Sequence, residues 1–253
     1  HLWRGRDFPE RIGIDYRSGI EAVAIDPQAR QVELKGGATM IYDRLVIATG
    51  GRLYTPVEGE EKAGIYNFKS LTAATELLNR VRNREVETAL IVGAGFIGVE
   101  IGLLLADMGL EVTQLVRSRV MRSMLDPESS QIVLEMIQER GIQVRRDDDA
   151  DAVAFLGAPR AEAVEMRSGA VVSADLLVAA TGLKPNMALL TGSGIETNFG
   201  VLVDDHLRTN VPDVYACGDV AETFDRLTGE RYVHAIFPNA VDQGRIVARS
   251  EER

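Results

Sequence analysis

The chain has 253 residues, of which 45% are hydrophobic and 26% are charged, a composition typical of a globular protein with one large or two ordinary domains. Its formal net charge of −10, without any block rich in lysine or arginine, argues against nucleic acid or an anionic membrane as the main partner. No apolar run approaches the ~18 residues of a transmembrane helix, and the first residues do not resemble a signal peptide, so we expect a cytoplasmic location.

Residues 11–50 have the pattern of a β-meander. Short strands are predicted over 12–16, 22–26, 31–34 and 39–42, the last running into the apolar segment 45–50. The segment 51–67 carries three glycines and a proline at its turns, and it is predicted to be an irregular crossing between two domains. A helix is predicted next, over 72–82.

A glycine-rich loop follows in the segment Ala89-Leu-Ile-Val-Gly93-Ala-Gly95-Phe-Ile-Gly98-Val-Glu100. An apolar strand turns there into a helix predicted over 96–108, and a second strand is predicted over 111–116. In such a loop Gly93 makes a tight turn, Gly95 lets the backbone approach a pyrophosphate, and Gly98 lets the helix pack on the strand.

The start of that helix is suited to bind anions. Its exposed N–H groups, at Phe96 and Ile97, and the positive end of its dipole would hold phosphates. The sequence therefore predicts a dinucleotide site, the alternative being a strand, turn and helix without a ligand.

The rest of the chain continues the α/β pattern. Asp126 as N-cap and Pro127 predict a helix that ends at Gly141. The later predicted elements are a strand over 142–145, a solvated turn over 145–151, two or three short antiparallel strands within 152–172, strands over 176–180, 201–203 and 214–217, a hairpin around 227–230, and a closing helix from about Asn239.

Cysteine and histidine are scarce in this sequence. The single cysteine, Cys217, excludes an internal disulfide within these residues, and its apolar surroundings favour a buried structural thiol over a redox nucleophile. Three scattered histidines argue against a transition-metal site, so no metal ligands are predicted.

An internal repeat organises the chain: Leu45-Val-Ile-Ala-Thr49-Gly50 recurs as Leu177-Val-Ala-Ala-Thr181-Gly182. Together with the glycine-rich loop and Val214-Tyr-Ala-Cys-Gly218-Asp219-Val220, this pattern resembles the FAD-dependent pyridine nucleotide–disulfide oxidoreductase family over nearly the full chain. The resemblance implies an α/β fold with a Rossmann-like NAD(P)-binding domain inserted in a partial FAD-binding domain with a β-meander. We place the two segments of the partial FAD-binding domain at 1–67 and 188–253, and the NAD(P)-binding domain at 68–187.

The resemblance also implies cofactor-binding residues. Asp219 after Gly218 would accept hydrogen bonds from the flavin ribityl chain, although the pair could be a simple turn. The helix after Pro238 would direct its N-terminus at the flavin pyrimidine edge, or it could be an ordinary capped surface helix. Further cofactor-binding residues are predicted at the strand ends and at this helix start: Thr49, Gly50, Thr181, Gly182, Asn239 and Ala240.

Glu100 is the predicted catalytic residue. A carboxylate beside phosphates would be repelled, so its side chain should point elsewhere than the pyrophosphate. In the family a glutamate at this position lies beside the nicotinamide ring, and the alternative is a solvated helix residue.

The choice between NAD and NADP depends on the end of the second strand, where an NAD enzyme normally places an acid about 20 residues after the loop. The sequence there contains no acid, and Arg117, Arg119 and Arg122 offer guanidinium groups that suit a 2′-phosphate. Arg117-Ser118 with Arg122 resembles the NADPH-selective members, so NADPH is favoured. Two points weigh against this: Gly98 occupies the position of the alanine typical of NADPH-type loops, and exposed arginines can simply be solvated.

Two family features are not found in this sequence: a glycine-rich FAD loop with its ribose acid before Ala48, and an interface domain after Arg253. We therefore expect a piece truncated at both ends, with an incomplete FAD site and no activity alone. The whole protein is expected to be a homodimer through the C-terminal domain.

The expected function is that of a flavoprotein oxidoreductase. Hydride would pass from NAD(P)H to FAD, and electrons would go on to a disulfide, a persulfide, oxygen or a redox protein. Residues 219–222, 228–230 and 237–244 resemble the nitrite-reductase, NADH-oxidase and rubredoxin-reductase branches of the family. The alternative is a non-catalytic nucleotide-binding module.

Overall fold

The computed structural model describes Gly5, residues 7–67 and residues 71–250. Within these ranges the chain forms two compact units, His1–Arg52 with Lys184–Arg253 and Leu53–Leu183. The second unit begins and ends earlier in the chain than the predicted domain 68–187. Residues 53–67 belong to it because Ile65–Tyr66 is an edge strand of its main sheet and Val57 lies in its core.

The elements before the glycine-rich loop are short. In chain order they are α1 (Phe8–Arg11), β1 (Ala22–Asp26), β2 (Gln31–Leu34), β3 (Thr39–Ile41), β4 (Leu45–Ile47), β5 (Gly51–Leu53), β6 (Ile65–Tyr66), α2 (Leu71–Arg82) and β7 (Thr88–Val92).

The middle of the chain holds the longer helices and a group of antiparallel strands. These elements are α3 (Phe96–Asp107), β8 (Glu111–Val116), α4 (Pro127–Glu139), β9 (Gln143–Arg146), β10 (Ala152–Leu156), β11 (Ala163–Met166), β12 (Val171–Ser173), β13 (Leu176–Ala179) and β14 (Leu183–Pro185). The last elements are β15 (Val201–Leu202), β16 (Val214–Ala216), β17 (Ala221–Phe224), β18 (Arg231–Tyr232) and α5 (Phe237–Ser250).

The unit Leu53–Leu183 is built on a five-stranded parallel sheet in the order β6-β13-β7-β8-β9. Its central strands are buried on both faces, with Leu90 and Ile91 fully inaccessible, which explains their continuous apolar sequence. Strands β10, β11 and β12 form a separate antiparallel sheet. The predicted α/β class with a Rossmann-like strand, loop and helix is confirmed by this sheet and its crossover helices.

The unit formed by the two end segments has a different construction. Strands β1, β2 and β3 form the predicted meander, β4 pairs with β16 in parallel, and β17 pairs with β15 and β18. The hairpin predicted around 227–230 is confirmed by β17 and β18, and α5 begins at Phe237, slightly before the predicted Asn239. Within the described ranges, no helix combines the length and the apolarity needed to cross a bilayer.

One local prediction is wrong and two are only partly right. Residues 12–16 form no strand, because Ile12 and Tyr16 are 52% and 65% exposed and so do not bury the face that would stabilise one. The segment 51–67, predicted to be an irregular crossing between domains, is irregular over 54–64 and contains the boundary between the two units, but it begins with β5 and ends with β6. The solvated turn predicted over 145–151 is confirmed at 147–149, which are exposed in the 3₁₀ turn Asp147–Ala150, although 145–146 belong to β9 and Ala150 is buried.

The cap of α4 is confirmed. The Asp126 carboxylate accepts hydrogen bonds from the backbone N–H and the hydroxyl of Ser129, at 3.0 and 2.8 Å, and Pro127 begins the helix. These bonds hold the pKa of Asp126 below its ordinary value.

Candidate functional site: the glycine-rich loop and the loop after β8

The first glycine of the loop, Gly93, has a backbone conformation that excludes other residues. Its φ is +111°, and a Cβ there would lie 2.5 Å from the carbonyl oxygen of Ala180. The turn that ends β7 therefore requires glycine at this position.

The other two glycines differ in what surrounds them. Gly95 is the N-cap of α3 with an ordinary φ of −75°, and a Cβ there would meet no atom of the described residues within 4 Å. A Cβ on Gly98 would overlap the carbonyl of Gly93 and lie 3.3 Å from Cβ of Ala180. Gly98 therefore serves close packing of helix on strand, whereas Gly95 faces open space at the N-terminal end of α3.

The first turn of α3 is accessible to a ligand. Phe96 and Ile97 are 52% and 51% exposed, and the N–H groups of a first helical turn have no partner within their own helix. An open side with N–H donors fits the pyrophosphate of a dinucleotide, which carries negative charge.

The loop after β8 is attached to the glycine-rich loop. The N–H of Met121 donates to the carbonyl of Ala94 at 2.7 Å, and the buried hydroxyl of Ser130 donates to the carbonyl of Val120 at 2.6 Å. These bonds place the arginine-bearing residues 117–122 next to the glycines.

The three arginines of that loop have different surroundings. Arg119 donates through Nη2 to the carbonyls of Arg122 and Leu125, each at 3.0 Å, and its Nε is buried with no hydrogen-bond partner in the described ranges. Arg119 therefore holds the loop together. It does not offer its guanidinium to a ligand, which is the role predicted from the sequence. Arg117 and Arg122 are exposed.

Sequence reasoning missed Asp151, an acid that lies near the end of β8. Its Oδ1 is 3.9 Å from Nη1 of Arg117, and its Oδ2 accepts a hydrogen bond from Nε of Arg167 at 2.5 Å. Because Asp151 follows the 3₁₀ turn after β9, no local pattern around Arg117 could have revealed it.

Glu100 lies on α3 just beyond its first turn, and it is exposed. It belongs to the same helix as the first-turn N–H groups but lies farther along the axis. The direction of its side chain relative to a bound pyrophosphate and its role at the nicotinamide both stay predictions.

The threonines of the two Ala-Thr-Gly segments form similar hydrogen bonds. The hydroxyl of Thr49 donates to the carbonyl of Asn186 at 2.7 Å, and the hydroxyl of Thr181 donates to the carbonyl of Tyr54 at 2.6 Å. Gly50 and Gly182 both have positive φ, +66° and +121°. The Thr49 hydroxyl thus holds the segment at Asn186, and the Thr181 hydroxyl holds the segment at Tyr54. The sequence does not predict this use of the two hydroxyls.

In the unit of the two end segments, the turn at Gly218-Asp219 meets α5. The N–H of Gly218 donates to Oε1 of the buried Gln243 at 2.6 Å, and Cβ of Ala240 would lie 3.7 Å from a Cβ on Gly218. Asn239 donates to the carbonyl of His234 at 3.3 Å. The structure thereby brings together Gly218, Asp219, Asn239 and Ala240, which the sequence placed far apart.

Cys217 lies beside this turn and is 9% exposed. Burial raises the pKa of its thiol, which keeps it protonated and unreactive near neutral pH. The structural features agree with the predicted structural role.

The fold and these loops define an α/β protein with the glycine-rich unit of dinucleotide-binding folds. Comparison of the sequence with known families is decisive on the class: residues 8–244 match the pyridine nucleotide-disulphide oxidoreductase family, to which this chain belongs.

Individual relatives agree with this assignment. The chain is 30% identical over 219 residues to the assimilatory nitrate reductase electron transfer subunit of Bacillus subtilis, covering 86% of this chain and 28% of that protein. Among solved structures, a covalent putidaredoxin reductase–putidaredoxin complex superposes with a TM-score of 0.89 at 26% identity, covering 98% of this chain and 60% of that one. A NAD-dependent persulfide reductase from A. fulgidus gives a TM-score of 0.88 at 30% identity, covering 97% and 47%. The chain therefore spans less than two thirds of each of these proteins.

Proposed function

We propose that this chain is part of a flavoprotein oxidoreductase that transfers hydride from NAD(P)H to FAD and passes electrons to a further acceptor. Family membership supports this, as do the relatives whose names describe reductases and oxidases that use nicotinamide cofactors. When bound, FAD would supply the redox chemistry, and the residues of this chain would bind and orient the nucleotides.

The unit Leu53–Leu183 is the proposed NAD(P)H-binding part. The observation that carries this assignment is the open space at Gly95, at the start of a helix whose next glycine, Gly98, is fully packed. The pyrophosphate would lie against Gly95 and the N–H groups of Phe96 and Ile97. Glu100 is the proposed residue beside the nicotinamide.

The unit of the two end segments is proposed to hold part of the FAD. Asp219 would accept hydrogen bonds from the ribityl hydroxyls, while Asn239 and Ala240 at the start of α5 would face the flavin ring. The bond between Gly218 and Gln243 supports this proposal, because it fixes the turn against the helix start. The remaining proposed cofactor-binding residues, which would lie beside the bound cofactors, are Thr49, Gly50, Thr181 and Gly182.

We propose NADPH as the preferred nucleotide. Arg117 and Arg122 are exposed on a loop joined to the glycine-rich loop, and two guanidinium groups suit a 2′-phosphate. Asp151 weakens this preference, because its carboxylate lies within ion-pair distance of Arg117 and would repel the phosphate.

Titration calorimetry with NADPH and NADH tests the nucleotide assignment. Both should bind to the purified chain, with NADPH tighter by about tenfold, or about 1.4 kcal/mol. No binding of either nucleotide would overturn the assignment of the site. Equal affinities, or tighter NADH, would overturn only the role of Arg117 and Arg122.

The redox proposal is tested on the whole protein that contains this chain. Its flavin absorbance near ~450 nm should fall when NADPH is added without oxygen, because the flavin is reduced. The acceptor is then identified by comparing reoxidation by oxygen, a small disulfide or persulfide, and a rubredoxin-type protein. A flavin that stays oxidised with both nucleotides would contradict the proposed hydride transfer.

A further inference from the structure

Gln114 is a polar residue in the middle of the apolar strand β8, and its side chain is completely buried. Burial of an amide costs free energy unless both of its polar atoms form hydrogen bonds. A buried glutamine in a central strand therefore needs an explanation that packing alone does not give.

The amide of Gln114 contacts the glycine-rich loop. Its Nε2 donates to the carbonyl oxygen of Gly93 at 3.2 Å, whereas its Oε1 is buried and has no hydrogen-bond partner among the residues that the structure describes. A Cβ on Gly102 would lie 3.2 Å from this Oε1, so a glycine in the interior of α3 makes room for the amide. The local structure thus accommodates an incompletely bonded side chain beside the loop.

The bond to Gly93 has a geometric consequence for the loop. A peptide unit is planar, so the direction of the Gly93 carbonyl also sets the direction of the Ala94 N–H, which points the opposite way. The following carbonyl, that of Ala94, is held by Met121. Gln114 and Met121 together therefore fix two successive peptide units between the turn at Gly93 and the open position at Gly95.

We propose that Gln114 is a positioning residue for dinucleotide binding, which holds the peptide between Gly93 and Ala94 in the orientation that receives the pyrophosphate. The inference rests on the proposed function, since it assumes that this loop binds a dinucleotide. A leucine or methionine would fill the same space in β8 without burying an unpaired oxygen, so the amide is retained at a cost to stability.

Gln114→Met tests the proposal, because methionine has a similar shape and cannot donate a hydrogen bond. The matched control is Gln143→Met on the neighbouring strand β9, where the glutamine is exposed. Calorimetry with NADPH, NADH and ADP-ribose should show about tenfold weaker binding of all three to Gln114→Met, since all contain the pyrophosphate. The control should bind as the wild type does.

Thermal unfolding and a second variant separate positioning from a purely structural role. The melting temperature of Gln114→Met should stay close to that of the wild type, because the unpaired Oε1 is removed while the Gly93 carbonyl loses its donor, and the two effects offset each other. Gln114→Glu should bind weakly when ionised and regain affinity as the pH falls, since its protonated carboxyl can donate to Gly93. The amide contacts the Gly93 carbonyl and lies beside Gly102, where Ile91 and Ile142 also pack, and none of these groups titrates.

Each outcome bears on the inference. Unchanged affinity of Gln114→Met, a sharp loss of its thermal stability, or an absence of pH rescue in Gln114→Glu would overturn the positioning role while leaving the proposed function standing. A wild-type chain that binds none of the three ligands would overturn the proposed function and this inference with it.

Discussion

The N–H of Met121 donates to the carbonyl of Ala94 at 2.7 Å, and this hydrogen bond joins the loop after β8 to the glycine-rich loop. Met121 adopts a positive φ of +49°, which is uncommon for a residue with a side chain. The residues that would recognise the 2′-phosphate and those that would recognise the pyrophosphate therefore belong to one hydrogen-bonded assembly.

Arg119→Leu should loosen this assembly, because the carbonyls of Arg122 and Leu125 lose their donor. NADPH affinity is expected to fall about tenfold, with a smaller effect on NADH, and amide hydrogen exchange should accelerate over residues 120–126. The control is Arg140→Leu, whose side chain is 63% exposed at the end of α4. Unchanged exchange and unchanged NADPH affinity would show that Arg119 does not hold the loop.

Arg117→Ala and Arg122→Ala should act on selectivity rather than on binding in general. Each removes a charge-assisted contact to the 2′-phosphate, so NADPH affinity should fall about tenfold while NADH affinity changes little. Calorimetry with both nucleotides measures the ratio, and Arg140→Ala supplies the matched change of net charge. Equal losses for NADH and NADPH would remove these arginines from phosphate recognition.

Gly98→Ala should destabilise the fold, because the added Cβ overlaps the Gly93 carbonyl. We expect a loss of about 1–3 kcal/mol in the free energy of unfolding, measured in denaturant. Gly244→Ala on α5 is the matched control: a Cβ there meets no atom within 4 Å, and alanine favours a helix, so stability should rise by up to about 1 kcal/mol. A Gly98→Ala variant as stable as the wild type would contradict the close packing of α3 on β7.

Asp175 links the start of β13 to the start of β7. Its Oδ2 accepts hydrogen bonds from the N–H groups of Glu87 and Thr88 and from the Thr88 hydroxyl, each at 2.9 Å, and these bonds lower the pKa of Asp175. A lowered pKa in the folded state means that the carboxylate stabilises the fold above its ordinary pKa, and that this contribution is lost as the pH falls through the lowered value.

Asp175→Ala should therefore be less stable than the wild type near neutral pH, by about 1 kcal/mol after allowance for solvent screening. The difference should shrink in acid, below pH ~4, as the wild-type carboxylate is protonated. Thermal melts across this range measure it, with the exposed Asp107→Ala as the control. A difference that does not depend on pH would assign the effect to packing.

The sequence predicted the parts of the fold that depend on local pattern. The glycine-rich loop, the bounds of β8 and the Asp126 cap all follow from residue spacing and from the chemistry of single residues. The strand predicted over 12–16 failed because alternating apolar residues form a strand only where they are buried, and Ile12 and Tyr16 are not.

The candidate site was predictable only in part, for a similar reason. The glycines were found because their backbone requirements are local. Three contacts at the site depend on which strands and loops become neighbours. They are the bond from Arg119 to the Leu125 carbonyl, the approach of Asp151 to Arg117, and the bond from Gln114 to the Gly93 carbonyl. Such contacts between residues distant in sequence leave no periodicity to detect.

The loop around Gly95 is proposed to hold the pyrophosphate of a nicotinamide nucleotide, and Gly95→Val is the sharpest test of this role. Because a Cβ at this position meets no atom in the described part of the chain and φ is ordinary, the variant should fold with a circular dichroism spectrum like that of the wild type. Calorimetry should then show binding of NADPH and NADH to the wild type and none to Gly95→Val, since the side chain occupies the pyrophosphate space. A folded Gly95→Val variant that binds either nucleotide with wild-type affinity would contradict the account.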